Sequence, residues 1–168
     1  MTHDVTVRDA EENDLEAIVS IYNQVVATTS AMWREQPTSM AERRAWLSET
    51  RTKGLPVLVA TDTSGVLGFA SCAPFRDWPG YARTVEHSIH VHADARGRGI
   101  GARLLSALEV QARGLRVHVM VAGIDATNEG SMRFHQRAGF VEVARMPEVG
   151  RHRGQWRDLV LLQKILVG

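Results

Sequence analysis

Arg96-Gly97-Arg98-Gly99-Ile100-Gly101 follows a segment of alternating polarity and opens an amphipathic run, and the fold turns on that placement. Before it, Thr84 to His92 alternates as a strand does, with Val85, His87, Ile89 and Val91 on one face. Glu86, Ser88, His90 and His92 occupy the other face. After it, Ile100, Leu104, Leu105, Leu108 and Ala112 fall on one helical stripe that stops at Gly114. A strand, a glycine-rich loop and a helix in that order aim backbone N–H groups and the positive end of the helix dipole at an anion. The three glycines let the main chain approach a pyrophosphate, and Arg96 and Arg98 add local charge. Two other readings compete. Extended by Ala102, the loop satisfies the dinucleotide pattern G-x-G-x-x-A, with Asp125 about 20 residues further on. A plain glycine-rich turn fits as well. The dinucleotide reading requires the loop to open a βαβ unit, whereas here it lies behind hairpin-type strands with little chain left after it.

Outward from the loop, Leu115 to Ala122 reads as a strand buried on both faces, and Asn128 to Ala138 as a short helix closed by Gly139. Phe140 to Ala144 and Asp158 to Leu166 read as the closing strands. Toward the N-terminus, Pro56 to Ala60 and Val66 to Ala73 flank the turn Asp62-Thr63-Ser64-Gly65. Ser39 with Glu42 forms a capping box for a helix carrying Trp46 and Leu47 and ending near Gly54. An earlier helix, capped by Asn13, carries Leu15, Ile18, Val19, Tyr22, Val25 and Val26, and Val5 to Arg8 precedes it as a strand. Thr28 to Pro37 is an irregular connection with an apolar Met32-Trp33 pair. The order β-α-α-β-β-β-α-β-α-β-β predicts one α/β domain over residues 1–168, a mixed sheet with helices on both faces.

A formal net charge of +1 argues against a nucleic-acid partner, which would need a clustered basic excess. Cys72 is the only cysteine, so no internal disulfide forms, and its apolar setting predicts an inert thiol. Met1-Thr2-His3-Asp4 lacks the basic-then-apolar pattern of a secretory signal, and no apolar run is long enough to span a membrane. The expectation is a cytoplasmic protein without a membrane partner.

Arg96 to Gly101 resembles the acetyl-CoA signature of the GNAT acetyltransferase superfamily, Q/R-x-x-G-x-G/A. Thr127-Asn128-Glu129-Gly130-Ser131 with Phe134-His135-Gln136-Arg137-Ala138-Gly139-Phe140 is similar to the family's second cofactor-facing segment. Further motifs run in order along nearly the whole chain: Tyr22-Asn23, Met32-Trp33, Thr84 to Ser88, His118 to Ile124, Met146 to Gly150 and Trp156 to Leu159. Together they resemble the branch that N-acetylates phosphinothricin, methionine sulfoximine and methionine sulfone. The resemblance implies the GNAT fold, acetyl-CoA as cosubstrate, no metal, a small amino-acid-like amine as acceptor, and a homodimer. It implies that Ile89, His90 and Val91 hold the pantetheine arm through their backbone. Arg96, Gly97, Arg98, Gly99, Ile100, Gly101 and Ala102 would cradle the pyrophosphate, with Asn128 and Ser131 on the far side.

The chemistry of amine acetylation singles out particular side chains. A substrate ammonium must lose a proton before attack, so a carboxylate near the acceptor is the first candidate base. Glu86 is placed for this, with His87 and Ser88 beside the acceptor; a solvated strand carboxylate is the plain alternative. Asn128, Ser131 and His135 share one helical face, and the resemblance puts His135 where many members use a tyrosine to protonate the leaving thiolate. A structural histidine is the alternative there. Arg76-Asp77-Trp78 lies on a loop, where a guanidinium fork suits an amino acid's carboxylate, although the branch usually carries the order Asp-Trp-Arg. His87, His90 and His92 do not form a metal set, because His87 faces away from the other two. Acetylation of a peptide or protein amine, and a non-catalytic CoA-binding module, are the rival functions.

Overall fold

The first helix is started by Asp14 and not by Asn13. The Asp14 carboxylate accepts the Glu11 backbone N–H at 2.7 Å and takes an ion pair from Arg8 at 2.7 Å, which closes a single 3-10 turn over Glu12–Asp14. Helix α1 (Leu15–Thr28) follows and buries Leu15, Ile18, Ile21, Val25 and Val26. The computed structural model describes residues 4–166. Met1 to His3, on which the reading of the N-terminus rests, lie outside them, and no helix among the described residues is long and apolar enough to cross a membrane.

Helix α2 (Met40–Thr52) begins with the expected capping box. Ser39 Oγ accepts the Glu42 N–H at 3.2 Å and Glu42 returns a carboxylate oxygen to the Ser39 N–H at 2.7 Å. Replacing Ser39 by Ala leaves a helix-terminal N–H without its acceptor and costs about 1 kcal/mol. Thermal unfolding should then come about 2–4 °C earlier; an unchanged Tm would show that the Glu42 half of the box suffices.

Among the described residues, seven strands form one mixed sheet: β1 (Thr6–Asp9), β2 (Val57–Asp62), β3 (Gly65–Pro74), β4 (Thr84–Val91), β5 (Val119–Asp125), β6 (Val141–His152) and β7 (Gln155–Ile165). Their spatial order is β1-β2-β3-β4-β5-β7-β6, and every neighbouring pair is antiparallel except β4–β5. That parallel pair is short. Thr84 to Glu86 lie beside Val119 to Val121, and beyond Glu86 the ladder stops although both strands continue.

Alternation along the strands sorts the core into two layers. Leu58, Ala60, Leu67, Ala70, Met120, Ala122 and Leu162 pack against Ile100, Leu104, Leu105 and Leu108 of helix α3 (Ile100–Gly114). Val57, Val59 and Phe69 face the other way, onto Leu15, Ile18, Ile21 and Leu47 of α1 and α2. Helix α4 (Glu129–Arg137) closes the fold, with Asn128 as its cap. Cys72 is buried in the α3 layer, where desolvation pushes its thiol up to about 12, so it stays protonated.

Three expected boundaries shift. The strand after α3 begins at Val119 and not Leu115, because the chain turns at Arg116 in the left-handed region (φ 60°) and Val117 N–H returns to the Ala112 carbonyl at 3.0 Å. β4 ends at Val91: His92 leaves the strand and its ring Nδ1 accepts the Asp94 N–H at 3.2 Å. The closing strands are far longer than expected and form one hairpin, turned at Arg153 and Gly154 with φ of 49° and 75°. Pro147 survives in β6 because the register jumps from Met146 to Gly150, where its missing N–H costs no ladder bond.

Candidate active site

Where β4 and β5 part, a cavity of about 1210 Å³ opens between them. Glu86 to Val91 line one side and Ala122 to Asp125 the other; Thr28 to Met32, after α1, form an outer wall.

Glu86 stands at the fork, on the face it shares with Ser88 and His90. Its carboxylate accepts no hydrogen bond from the described residues. The group keeps contact with solvent along the groove, yet the surrounding walls desolvate it and push its pKa above the ordinary carboxylate value. Gly123 makes room for it: a Cβ there would lie 2.7 Å from Glu86 Oε1. Ser88 Oγ is 3.2 Å from Ser71 Oγ across the β3–β4 ladder. His90 packs its ring against Phe69 and Tyr22, and burial, aided by the Arg43 charge, lowers its pKa to about 4.

His87 points through the sheet to the opposite side and meets His135 from α4, with Nε2 to Nε2 at 3.0 Å. His135 Nδ1 lies 2.8 Å from the Ser131 carbonyl, which can only accept, so this nitrogen carries the proton. In the neutral ring Nε2 therefore accepts from His87 Nε2–H, which leaves His87 Nδ1 buried and unpartnered among the described residues. Burial, with the neighbouring His135, drives His87 down to about 3, and burial also lowers His135. Both rings are neutral at physiological pH. Asn128 spends its side chain on the Ser131 N–H at 3.1 Å, as the helix cap.

The glycine loop has an open, left-handed course. Gly97 and Gly99 both sit at φ 75°, and nothing lies within 4 Å of a Cβ built on either. Its two arginines differ. Arg96 lines the cavity and makes no ion pair among the described residues, whereas Arg98 turns outward to Asp62 at 2.8 Å. Ile100 is a core residue and contributes its backbone at the start of α3; Gly101 lines the cavity and Ala102 does not. The open glycines, the first N–H groups of α3 and the unpaired Arg96 form a cradle that suits a pyrophosphate.

Arg76, Asp77 and Trp78 are not brought into the cavity wall. They sit exposed on the loop after β3, with Arg76 over the Phe75 ring at 5.3 Å and Trp78 75% exposed. Sequence reasoning missed other contributors. Gly123, a lone glycine inside an apolar strand, carried a signal of close approach. Asp125 entered only as the acidic residue of the dinucleotide pattern; here its Oδ1 accepts the Thr127 N–H at 2.8 Å and its Oδ2 the Trp33 indole N–H at 2.8 Å. No grouping of three or more metal-ligating side chains occurs among the described residues.

A splayed parallel strand pair above an anion-binding glycine loop is the architecture of an acyl-CoA-dependent transferase, and the chain belongs to the acetyltransferase (GNAT) family, whose model matches residues 18–140. Among relatives, the L-methionine sulfoximine/L-methionine sulfone acetyltransferase of Pseudomonas aeruginosa is 45% identical over 159 residues, 94% of this chain and 92% of that protein. The structure of a ribosomal-protein-alanine N-acetyltransferase from Brucella melitensis superposes with a TM-score of 0.94 at 42% identity, over 96% of this chain and 99% of that one. A phosphinothricin acetyltransferase from Sinorhizobium meliloti, solved in complex with acetyl-CoA, superposes with a TM-score of 0.92 at 36% identity, over 96% and 88%.

Proposed function

We propose that the chain transfers the acetyl group of acetyl-CoA to the α-amino group of a small amino acid such as methionine sulfone, methionine sulfoximine or phosphinothricin. The observation that carries the reading is Glu86: a partnerless, partly desolvated carboxylate at the mouth of the β4–β5 fork, on the face walled by Thr28 to Met32. There it takes the ammonium proton, directly or through one water, and frees the nitrogen lone pair for attack. Acetyl-CoA supplies the activated acyl group. The backbone of Ile89, His90 and Val91, unpaired toward β5, would hold the extended arm, and an N–H among them would polarise the carbonyl. Arg96, Gly97, Gly101 and the start of α3 would hold the pyrophosphate. His135 is assigned to the departing thiolate in a narrower role than an imidazolium donor. Held neutral, its Nδ1–H, shared with the Ser131 carbonyl, would donate a hydrogen bond that steadies the sulfur's charge, and the proton that completes the thiol would come from water in the cavity. Arg76 is proposed to reach the acceptor carboxylate from the loop after β3.

Free-thiol release measured across these amino acids, beside an alanine-started peptide, tests the reading. Turnover of the amino acids supports it. Turnover of the peptide alone would shift it to the protein-amine activity that the Brucella relative's name suggests, and no turnover on any amine would leave a CoA-binding module.

Arg96→Gln should raise KM for acetyl-CoA about tenfold with little change in kcat, the loss of one charge-assisted hydrogen bond. Arg98→Gln should do less, because Asp62 already holds that side chain. Equal effects would remove Arg96 from the cradle.

The same reading makes the enzyme a cytoplasmic, metal-independent homodimer. β6 is an edge strand, and Val141, Val143, Met146, Val149 and Trp156 are exposed on it and its partner, a surface suited to a second copy. Light scattering at micromolar concentration reads the stoichiometry.

A further inference from the structure

The wall formed by Thr28 to Met32 has no regular secondary structure past the end of α1, yet it bounds the side of the cavity onto which Glu86 and Ser88 project. What holds it comes from the other end of the chain. The Trp33 indole N–H donates to Asp125 Oδ2 at 2.8 Å, and the six-membered ring of Trp33 lies directly on Gly150 of β6. A Cβ on Gly150 would sit 2.1 Å from Trp33 Cε3 and 2.2 Å from Cζ3, so only glycine admits the indole there. The hairpin turn adds a second anchor. Arg153 N–H donates to Glu35 Oε1 at 2.7 Å, and the Arg153 guanidinium donates to the Val26 and Ala27 carbonyls at 3.1 and 2.9 Å, at the C-terminal end of α1. Asp125 meanwhile spends its other oxygen on Thr127, beside the Asn128 cap of α4.

We infer that Trp33, seated between Asp125 and Gly150, is a positioning residue that sets the width of the acceptor pocket, so that the β6–β7 hairpin governs acceptor selection from outside the cavity. Trp33 is not itself a wall residue; it fixes the backbone of Ala31 and Met32, which are. The inference rests on the amine-acetylation reading for its substrate side. Its mechanical side, that the hairpin holds the wall, stands without it.

Two variants test it. Trp33→Phe removes the N–H donated to Asp125 and trims the ring that lies on Gly150; Gly150→Ala keeps the indole and removes its seat. Both should raise KM for the amino-acid acceptor about tenfold, leave KM for acetyl-CoA within about twofold, and change the ratio of rates between short and long acceptors. Both should also speed amide hydrogen exchange across residues 28–36 without speeding it in β4 or α3. The exchange readout needs no turnover, so an inactive wild-type enzyme would sink the proposed function and still leave the hairpin's hold decided. An active wild type with unaltered acceptor KM in Trp33→Phe, or exchange across 28–36 unchanged in either variant, would overturn the inference. Should Gly150→Ala fail to fold, Trp33→Phe carries the test, with Tm as its control.

Discussion

Glu86→Gln is expected to lower kcat by about 10²–10³-fold, within the range a positioned general base supplies, while KM for acetyl-CoA stays near its wild-type value. The amide is isosteric and cannot accept the ammonium proton. Wild-type kcat/KM should fall as pH drops through the Glu86 pKa, and burial raises that pKa, so the limb lies above the range of an ordinary carboxylate. In Glu86→Gln this limb disappears, and an unchanged pH–rate profile would remove Glu86 from the base role. Stability moves the other way. A carboxyl that titrates higher in the folded chain than in the unfolded one favours folding as pH falls and opposes it once ionised. The variant should therefore unfold at the same or a higher temperature at neutral pH, which separates lost chemistry from lost structure.

Gly123→Ala should lower kcat by about 10–100-fold without removing any group that takes part in the reaction. The added methyl would lie 2.7 Å from Glu86 Oε1, so the carboxylate must swing away from the fork. Displacements of about 1 Å in a reacting group carry costs of this size. The fold should tolerate the change, because the other neighbours of that methyl, on Leu159 and Leu161, are at 3.5 and 3.8 Å. The double variant Gly123→Ala/Glu86→Gln should be no slower than Glu86→Gln alone, since the methyl acts only through the carboxylate. Additive losses would show that Gly123 serves something else.

What the sequence disclosed follows from how local each signal is. The glycine loop, the Ser39 box and the Gly139 helix stop each lie within a few residues, so their chemistry is written contiguously. The alternation of β4 set Glu86 and His87 on opposite faces, and the structure keeps them there. It could not say what His87 would meet, because α4 delivers His135 from 48 residues away. Nor could it announce the length of the closing hairpin, in which a register jump absorbs Pro147 and a tight turn uses Gly154. Gly150 turns out to be the seat of Trp33, a contact between distant segments that leaves no periodicity to find. Arg76, on the β3–β4 loop, is singled out by its chemistry and by the family resemblance. It stands on an exposed loop outside the cavity wall, which Tyr22, Gly123 and Asp125 help to line.

The parallel rungs of β4 and β5 end at Glu86, so the sheet is two leaves sharing a short spine. Beyond it, each leaf presents a backbone edge that the other does not pair, and the cavity opens between them. A linear amide-bearing ligand lying in that gap would act as a removable eighth strand. Binding would then be an act of folding, and saturating acetyl-CoA should raise the melting temperature of both leaves together.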